Sequence, residues 1–254
     1  MLIRTSQLER LGEETTHRFE NEMVVHLNNF AQRHCEVIGE DGVREVIRLG
    51  LENSEQYGFT MQGPVRFFIE LMFMFGSYFD TDAQYPWAGE ALSDPSNQME
   101  LFRADDLHRR MTDYLTLVSG PENFYAKRAL REIRRMLSEA LPSTVVSLHT
   151  ELMPRLQLVY PEKYSYLRED RISAVINSGI SVGETAGVST SESLRLFVIL
   201  AFTLGHHFAD DPLYPWIADT LNDPTIVDPN LRTEKVKEKA LLYLDGVLGC
   251  SEKN

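Results

Sequence analysis

The stretch Gly76-Ser-Tyr-Phe-Asp-Thr-Asp-Ala-Gln-Tyr-Pro-Trp87 decides how this chain of 254 residues is organised, because a second version follows it. The second version reads Gly205-His-His-Phe-Ala-Asp-Asp-Pro-Leu-Tyr-Pro-Trp216 and lies 129 positions later, since 205 − 76 = 129. Nine of the twenty positions from 76 to 95 are identical in the two copies. The identical residues within the motif itself are Gly76, Phe79, Asp82, Tyr85, Pro86 and Trp87 in the first copy and Gly205, Phe208, Asp211, Tyr214, Pro215 and Trp216 in the second. We interpret this repetition as an internal duplication.

The same offset aligns apolar residues well outside the motif. Val43, Val46, Ile47 and Gly50 align with Ile172, Val175, Ile176 and Gly179, and further matches continue to residue 120. A repeat of this length fits none of the common solenoid periods. The sequence therefore predicts a first helical module over residues 1–120, a linking helix within 121–146 and a second helical module over 147–254.

Helical periodicity runs through both copies. Apolar residues recur at steps of three and four in predicted helices at 13–35, 41–55, 100–119, 148–159, 168–182 and 233–248. The helix before each motif is apolar over so wide an arc that we expect it to be central and buried. Its start carries Pro64 in the first copy and a capping-box spacing, Ser189-Thr-Ser-Glu192, in the second. No useful segment alternates apolar and polar residues, so the predicted class is all-α.

Composition excludes several classes of function. The chain carries 38 acidic and 25 basic residues, a net charge of −13, which disfavours nucleic acid and anionic membrane surfaces as partners. It contains no run of 18 apolar residues and does not begin with a signal-peptide pattern. Its two cysteines, Cys35 and Cys250, suggest neither a metal site nor a disulfide framework. These features predict a reduced, cytoplasmic protein.

The linking helix, predicted over 122–141, carries an unusual basic face. The bases are Lys127, Arg128, Arg131, Arg134 and Arg135. The interpretation we favour is that they pair with acidic residues of the two modules and dock them, since charge runs are usually solvated or paired faces. The alternative is that they form a binding surface for an acidic partner protein.

The motif itself can be interpreted in two ways. Tyrosine and tryptophan suit an exposed docking surface, but a repeated tryptophan at a turn more often plugs a core, so we expect Trp87 and Trp216 to occupy equivalent buried positions. We expect Asp82 and Asp211 to accept backbone N–H bonds within their turns or to cap the next helix. Gly76 and Gly205 are expected to permit a close approach or a left-handed helix cap.

The second motif also offers the most plausible metal cluster, His206, His207, Asp210 and Asp211. The first copy lacks both histidines, and neighbouring histidines on a helix point about 100° apart, so we predict no metal and no cofactor. Other catalytic signatures are absent from the sequence. An enzyme or small-ligand protein with a pocket between the modules, near these four residues, is retained as the alternative.

The repeated Gly-x-x-Phe-x-x-Asp-x-x-Tyr-Pro-Trp signature resembles helical accessory proteins encoded beside bacterial secreted toxins, notably type VI secretion effectors. The resemblance covers the two motif stretches and transfers no functional residue. It implies a cytoplasmic, non-enzymatic protein that binds another protein, either an immunity protein that blocks a toxin or an adaptor that helps to load one. An acidic surface would speed the encounter with a basic toxin.

Overall fold

The computed structural model describes the backbone of residues 5–97, 99–139 and 147–251, and within these ranges the side chains of residues 14–249. Over these ranges the regular structure is helical, with no β-strand, which confirms the predicted all-α class. In the part of the chain so described, no helix combines the length and apolar character needed to cross a bilayer. Cys35 is a buried free thiol, whereas the side chain of Cys250 lies outside the described residues.

The helices follow one another through short turns. In chain order they are α1 (Thr5–Phe30), α2 (Gln32–Gln56), α3 (Gln62–Phe75), α4 (Pro86–Ser93), α5 (Glu100–Val118), a 3₁₀ turn (Pro121–Asn123), α6 (Phe124–Ser138), α7 (Leu148–Val159), α8 (Pro161–Thr185), α9 (Ser191–Leu204), α10 (Pro215–Leu221) and α11 (Pro229–Ser251).

Helix bounds recur at the 129-residue offset. α2 and α8 both have 25 residues and α3 and α9 both have 14, and in each pair the first residues differ by 129. α2 and α8 are each interrupted once, at Gly39 (φ 69°, ψ 172°) and at Arg168 (φ 62°, ψ 173°). An L-residue such as arginine adopts positive φ only at a cost, so its presence at the same point as a glycine indicates that packing imposes the kink. The predicted helices at 41–55 and 168–182 are the parts of α2 and α8 beyond these kinks.

Two predicted helix boundaries are wrong. The first helix ends at Phe30 instead of continuing to residue 35, because Ala31 leaves the helical region (φ −133°, ψ 47°) and α2 begins at Gln32. The linking helix begins at Phe124 instead of residue 122, because Glu122 and Asn123 both have positive φ and form a 3₁₀ turn. It ends at Ser138, and residues 140 and 141 lie outside the described ranges.

The predicted capping box is not formed, because the N-cap lies one residue later than expected and the residue three positions on is Ser193 instead of a glutamate. The N-cap of α9 is Thr190, not Ser189, and its side-chain oxygen accepts a hydrogen bond from the Ser193 amide at 3.2 Å. Thr190 takes this place because its backbone is extended (φ −81°, ψ 141°), which is what an N-cap requires. Pro64 lies in the first turn of α3, as predicted.

α3 and α9 lie at the centre of one continuous apolar core that draws on both halves of the chain. Phe68 and Met72 of α3 and Phe197 and Ala201 of α9 have no exposed surface. Burying each large side chain of this kind contributes about 1.5–3 kcal/mol relative to exposure. These two helices are therefore the buried ones that the width of their apolar arcs predicts.

The last helix of each half, α5 in the first and α11 in the second, also contacts the other half. Tyr114 of α5 packs edge-on against Tyr166 of α8, with ring centroids 5.0 Å apart. In the opposite sense, Tyr243 of α11 lies with its hydroxyl 3.1 Å from Nε2 of His34 in α2. Each closing helix thus contacts the second helix of the other half, and the two motif loops are brought together between them.

Candidate functional site at the contact between the motif loops

The candidate site is formed by the first motif loop (residues 76–85) and the second motif loop (residues 205–214). Gly76 and Gly205 end α3 and α9 with φ of 101° and 107°, a region that L-residues rarely adopt. A Cβ at Gly76 would lie 3.1 Å from the Leu204 carbonyl oxygen, and one at Gly205 would lie 3.2 Å from Oδ2 of Asp82. The glycines therefore serve as points where the two loops approach closely, which is one of the two predicted purposes. They are not left-handed helix caps, because their ψ values of 151° and 165° lie outside the left-handed α region.

Asp211 binds across to the first motif loop. Its Oδ2 accepts a hydrogen bond from the Ser77 amide at 2.9 Å, and its Oδ1 accepts from the Ser77 hydroxyl at 2.6 Å. Within its own turn, Oδ1 also accepts from the Leu213 amide at 2.9 Å. The predicted bond within the turn is present, and the bond to the other half is an addition that the sequence did not indicate.

Asp82 makes the reciprocal contact. Its Oδ2 accepts from the His206 amide at 2.8 Å, and its Oδ1 accepts from the Gln84 amide at 2.9 Å. The Gln84 side-chain nitrogen donates both to Asp82 Oδ2 at 3.1 Å and to the Ala201 carbonyl at 2.9 Å. Each aspartate therefore satisfies amides of both loops, and we call this pair of contacts the aspartate exchange.

The two carboxylates of the aspartate exchange differ in acidity. Burial alone would raise the pKa of Asp82, but the hydrogen bond and charge of His206, whose Nδ1 lies 3.2 Å away, together with the backbone amides, hold it below its ordinary value. Burial raises the pKa of Asp211, and the hydrogen bonds from Ser77 and Leu213 only partly oppose this effect. The difference arises because a histidine stands in one loop where the other loop has a serine.

A buried lysine lies beside the aspartate exchange and was not identified from the sequence. Lys163 of α8 is only 5 % exposed, and its Nζ donates to the Phe202 carbonyl in the last turn of α9 at 2.8 Å. The same nitrogen lies 4.6 Å from the centre of the Phe202 ring and 5.8 Å from that of Tyr85. Burial lowers its pKa to about 8, although the charge of Asp82 acts in the opposite direction.

The counterpart of Lys163 at the 129-residue offset is His34. His34 packs against Phe73 of its own half and Tyr214 of the other, with ring centroids 6.3 Å away in both cases. Burial lowers the pKa of His34. One position holds a histidine and the other a lysine, so the comparison of the two copies did not single out either residue.

The two tryptophans are not equally buried. Trp87 is 3 % exposed and packs against Phe75, Phe79, Tyr85 and Tyr114, which confirms its predicted core position. Trp216 is only partly buried, and its one aromatic neighbour among the described residues is Tyr243, at 6.1 Å. The prediction of equivalent buried positions is therefore wrong for the second tryptophan. A physical reason is that Leu204 stands where the first half has Phe75.

The histidines of the second loop do not form a metal site. Of the residues that the structure describes, no three His, Cys, Asp or Glu side chains are grouped so that they could hold an ion. The His206 amide donates to Asp82, while His207 is exposed and packs against Tyr78 of the first loop, with ring centroids 4.5 Å apart and the rings tilted by 37°. Burial and the charge of His206 both lower the pKa of His207. Both rings line a surface cavity that belongs to the second half alone.

Intramolecular pairs occupy much of the basic face of α6. Arg128 donates to Glu162 of α8 at 2.5 Å, and Arg134 is paired with Asp245 of α11. Arg135 pairs with Glu132 and Glu139 of its own helix region. Lys127 and Arg131 form no ion pair with any residue in the described ranges. The pairs of Arg128 and Arg134 join α6 to α8 and α11, which both belong to the second half. The favoured interpretation of this face, pairing with both modules, therefore holds among the described residues for the second module only.

Exposed apolar side chains cluster at the start of α5. Met61, Met99, Leu101 and Phe102 are between 47 % and 59 % exposed, and we call them the α3/α5 patch. Glu100 holds the patch together, because its carboxylate accepts from the amides of Thr60 at 2.7 Å and Met61 at 3.0 Å. The starts of α3 and α5 are thereby fixed side by side, and four large apolar side chains face solvent.

No protein-family model, no curated protein and no solved structure matches the chain.

Proposed function

We propose that the two halves of the chain descend from one duplicated helical unit. Three observations support this proposal: the sequence repeat, the helix bounds that recur at the same offset, and the positive φ at Gly58 and Gly187, which are again 129 residues apart. The aspartate exchange has the form of an isologous contact, in which residue i of one unit meets residue j of the other and j meets i. Such a contact is what a dimer of the ancestral unit would have made.

We further propose that the protein is a non-enzymatic protein-binding protein, an immunity or adaptor protein for a bacterial secreted toxin, acting in the cytoplasm. The observation that carries this proposal is the α3/α5 patch. Contiguous exposed apolar residues mark interaction surfaces, and methionine is favoured there because its flexible side chain adapts to a partner. Phe102 supplies the aromatic side chain that commonly anchors such an interface.

The net charge of the chain indicates what kind of surface its partner should present. A chain of net charge −13 attracts basic surfaces and repels acidic ones at long range. We therefore expect a partner that presents an apolar pocket or ridge surrounded by lysine and arginine. Its association rate should fall as salt is added, since screening shortens the range of the attraction to about 8 Å at physiological ionic strength.

The direct test is co-purification with the product of the adjacent gene, followed by calorimetric titration. Phe102→Ser should weaken the complex by about tenfold or more, because truncating an aromatic anchor usually costs over 1 kcal/mol. Leu158→Ser is the matched control, since Leu158 is 81 % exposed but lies on α7. Absence of a complex at about 1 μM of each protein would reject the proposed function.

A second pair of variants tests the basic face of α6. Lys127→Glu with Arg131→Glu reverses the two cations that have no partner among the described residues. If the proposal for the α3/α5 patch is right, this double variant should bind the partner as the wild type does. Loss of binding here, with Phe102→Ser still binding normally, would move the interface to α6.

A further inference from the structure

A cavity of about 470 Å³ opens on the surface of the second half. It lies between the C-terminal part of α8, the second motif loop and the start of α11. The polar residues on its wall include Thr185, His206, His207, Asp210, Asn222 and Arg232, together with two serines of α8. Its size falls within the usual range for small-molecule sites.

At the 129-residue offset, two larger side chains stand in the first half where the lining of this cavity has alanine. Tyr57 follows α2 and donates its hydroxyl to Oδ2 of Asp80 at 2.7 Å. At the 129-residue offset these residues become Ala186 and Ala209, and both alanines line the cavity. The cavity therefore corresponds to an aromatic ring and a carboxylate that the second half lacks.

An arginine stands at the same place in both halves. Arg103 donates to the carbonyl of Tyr57 and, at 2.9 Å, to that of Asn97. Its counterpart Arg232 repeats only the second bond, to the Ile226 carbonyl at 2.5 Å. Its guanidinium therefore keeps donors available to the cavity. Its buried Nε has no hydrogen-bond partner among the residues described, which is also true of the Nε of Arg103, so the difference between the two arginines is the missing bond to the carbonyl of residue 186.

We propose that this cavity binds a small aromatic carboxylate. The aromatic ring takes the place that the Tyr57 ring holds in the first half, against Val182, Ala186 and Leu221. The carboxylate pairs with Arg232, since a guanidinium offers paired N–H donors that match a carboxylate in geometry and charge. Asp210, exposed at the rim, accepts from a hydroxyl on the ring, so hydroxybenzoates are the best probes.

The histidines connect this site to the aspartate exchange. His206 lines the cavity through its side chain, while its amide donates to Asp82 of the first half. A ligand that fixes the His206 ring is thus in contact with a residue that joins the two halves. Bound ligand should accordingly raise the midpoint of unfolding of the whole chain and not of one half alone.

The experiment is a titration of the full chain with para-hydroxybenzoate, followed by protein NMR or calorimetry. We expect a dissociation constant on the order of 1 mM, which is usual for a ligand of this size. Phenol, which lacks the carboxylate, should bind at least tenfold more weakly. Equal binding of phenol, or no binding of para-hydroxybenzoate at tenfold higher concentration, would overturn the proposal.

Three variants locate the site. Ala186→Tyr combined with Ala209→Asp restores the two side chains of the first half and should abolish binding. Ala174→Tyr adds the same ring to an exposed position of α8 and should leave binding unchanged. Arg232→Gln should weaken carboxylate binding about tenfold and leave phenol binding as it was. If the double variant Ala186→Tyr with Ala209→Asp still binds para-hydroxybenzoate like the wild type, the ligand lies elsewhere.

Discussion

Replacing either aspartate of the aspartate exchange should reveal that the two carboxylates are not energetically equivalent. We expect Asp82→Asn to lower the free energy of unfolding by about 2–3 kcal/mol, and Asp211→Asn to lower it by about 1 kcal/mol less. Both substitutions nearly keep the volume of the side chain, remove its charge and replace one acceptor oxygen by an NH₂ donor. The predicted difference therefore reports on electrostatics and hydrogen bonding and not on packing.

The magnitude follows from the hydrogen bonds that each carboxylate accepts. Both oxygens of Asp82 and of Asp211 accept backbone N–H groups, so an asparagine amide must point its NH₂ at one of these donors. A buried donor left without an acceptor costs about 1–3 kcal/mol. Asp82→Asn loses, in addition, the favourable charge interaction with His206, whereas the Asp211 carboxylate has no comparable cation beside it.

The dependence on pH has opposite signs at the two positions. The folded-state pKa of Asp82 is lowered, so its contribution is present above the unfolded value of about 3.9 and is lost as pH falls through the folded pKa. The folded-state pKa of Asp211 is raised, so its contribution is present below the unfolded value and is lost as pH rises through the folded pKa. On going from pH 6 to about pH 3, the cost of Asp82→Asn should shrink, chiefly below about pH 4, and that of Asp211→Asn should grow, chiefly above about pH 4.

The assay is equilibrium unfolding in urea at several pH values, with the wild type measured alongside. Asp210→Asn is the matched control, because Asp210 is an exposed aspartate of the same loop and its substitution should change stability by less than about 0.5 kcal/mol. The reasoning fails if Asp211→Asn costs as much as Asp82→Asn at pH 7. It also fails if both costs change with pH in the same direction.

Three further predictions concern the packing around this contact. Because the pKa of Lys163 is lowered to about 8 from 10.5, the stability of the wild type relative to Lys163→Met should rise by up to about 3 kcal/mol as pH increases from 7 to 10.5, measured by chemical unfolding. A Cβ at Gly179 would lie 2.4 Å from a backbone atom of α9 and one at Gly50 would meet only side chains, so Gly179→Ala should lower the melting temperature more than Gly50→Ala. Arg195 is 2 % exposed and binds Glu151 through two nitrogens at 2.8 and 2.9 Å, so Arg195→Met should cost about 3 kcal/mol in urea unfolding by leaving that carboxylate with only a 3.7 Å contact to Arg155; a cost below about 1 kcal/mol would contradict this.

The sequence predicted those features that depend on local periodicity. The apolar arcs of α3 and α9 indicated their central position, and the turn-forming role of Asp82 and Asp211 followed from residue type alone. Boundaries were predicted less well where one residue leaves the helical region for reasons of packing, as at Ala31 and Glu122. Periodicity measures which face is apolar, and it cannot locate a kink that neighbouring helices impose.

What the sequence could not indicate is that each aspartate binds an amide of the other half. A repeat aligns Asp82 with Asp211, but alignment says only that two positions are alike and not that they meet. A backbone amide carries no side-chain signature, so the amides of Ser77 and His206 could not be found in advance. By contrast, both copies have an arginine at the equivalent positions 103 and 232. This shared arginine could have drawn attention to the cavity from the sequence alone.

The differences between the halves, more than their similarities, therefore carry the functional information. Positions that are the same in both copies, such as Gly76 with Gly205 and Asp82 with Asp211, form the contact that holds the halves together. At some positions where the copies differ, a large side chain is present in the first half and absent from the second. Ala186 is the clearest of them, because a side chain that fills the first half is absent from the second while the arginine beside it is kept. A cavity of this origin is bordered by a packed core on one side and solvent on the other, which suits a binding site that must stay open without weakening the fold.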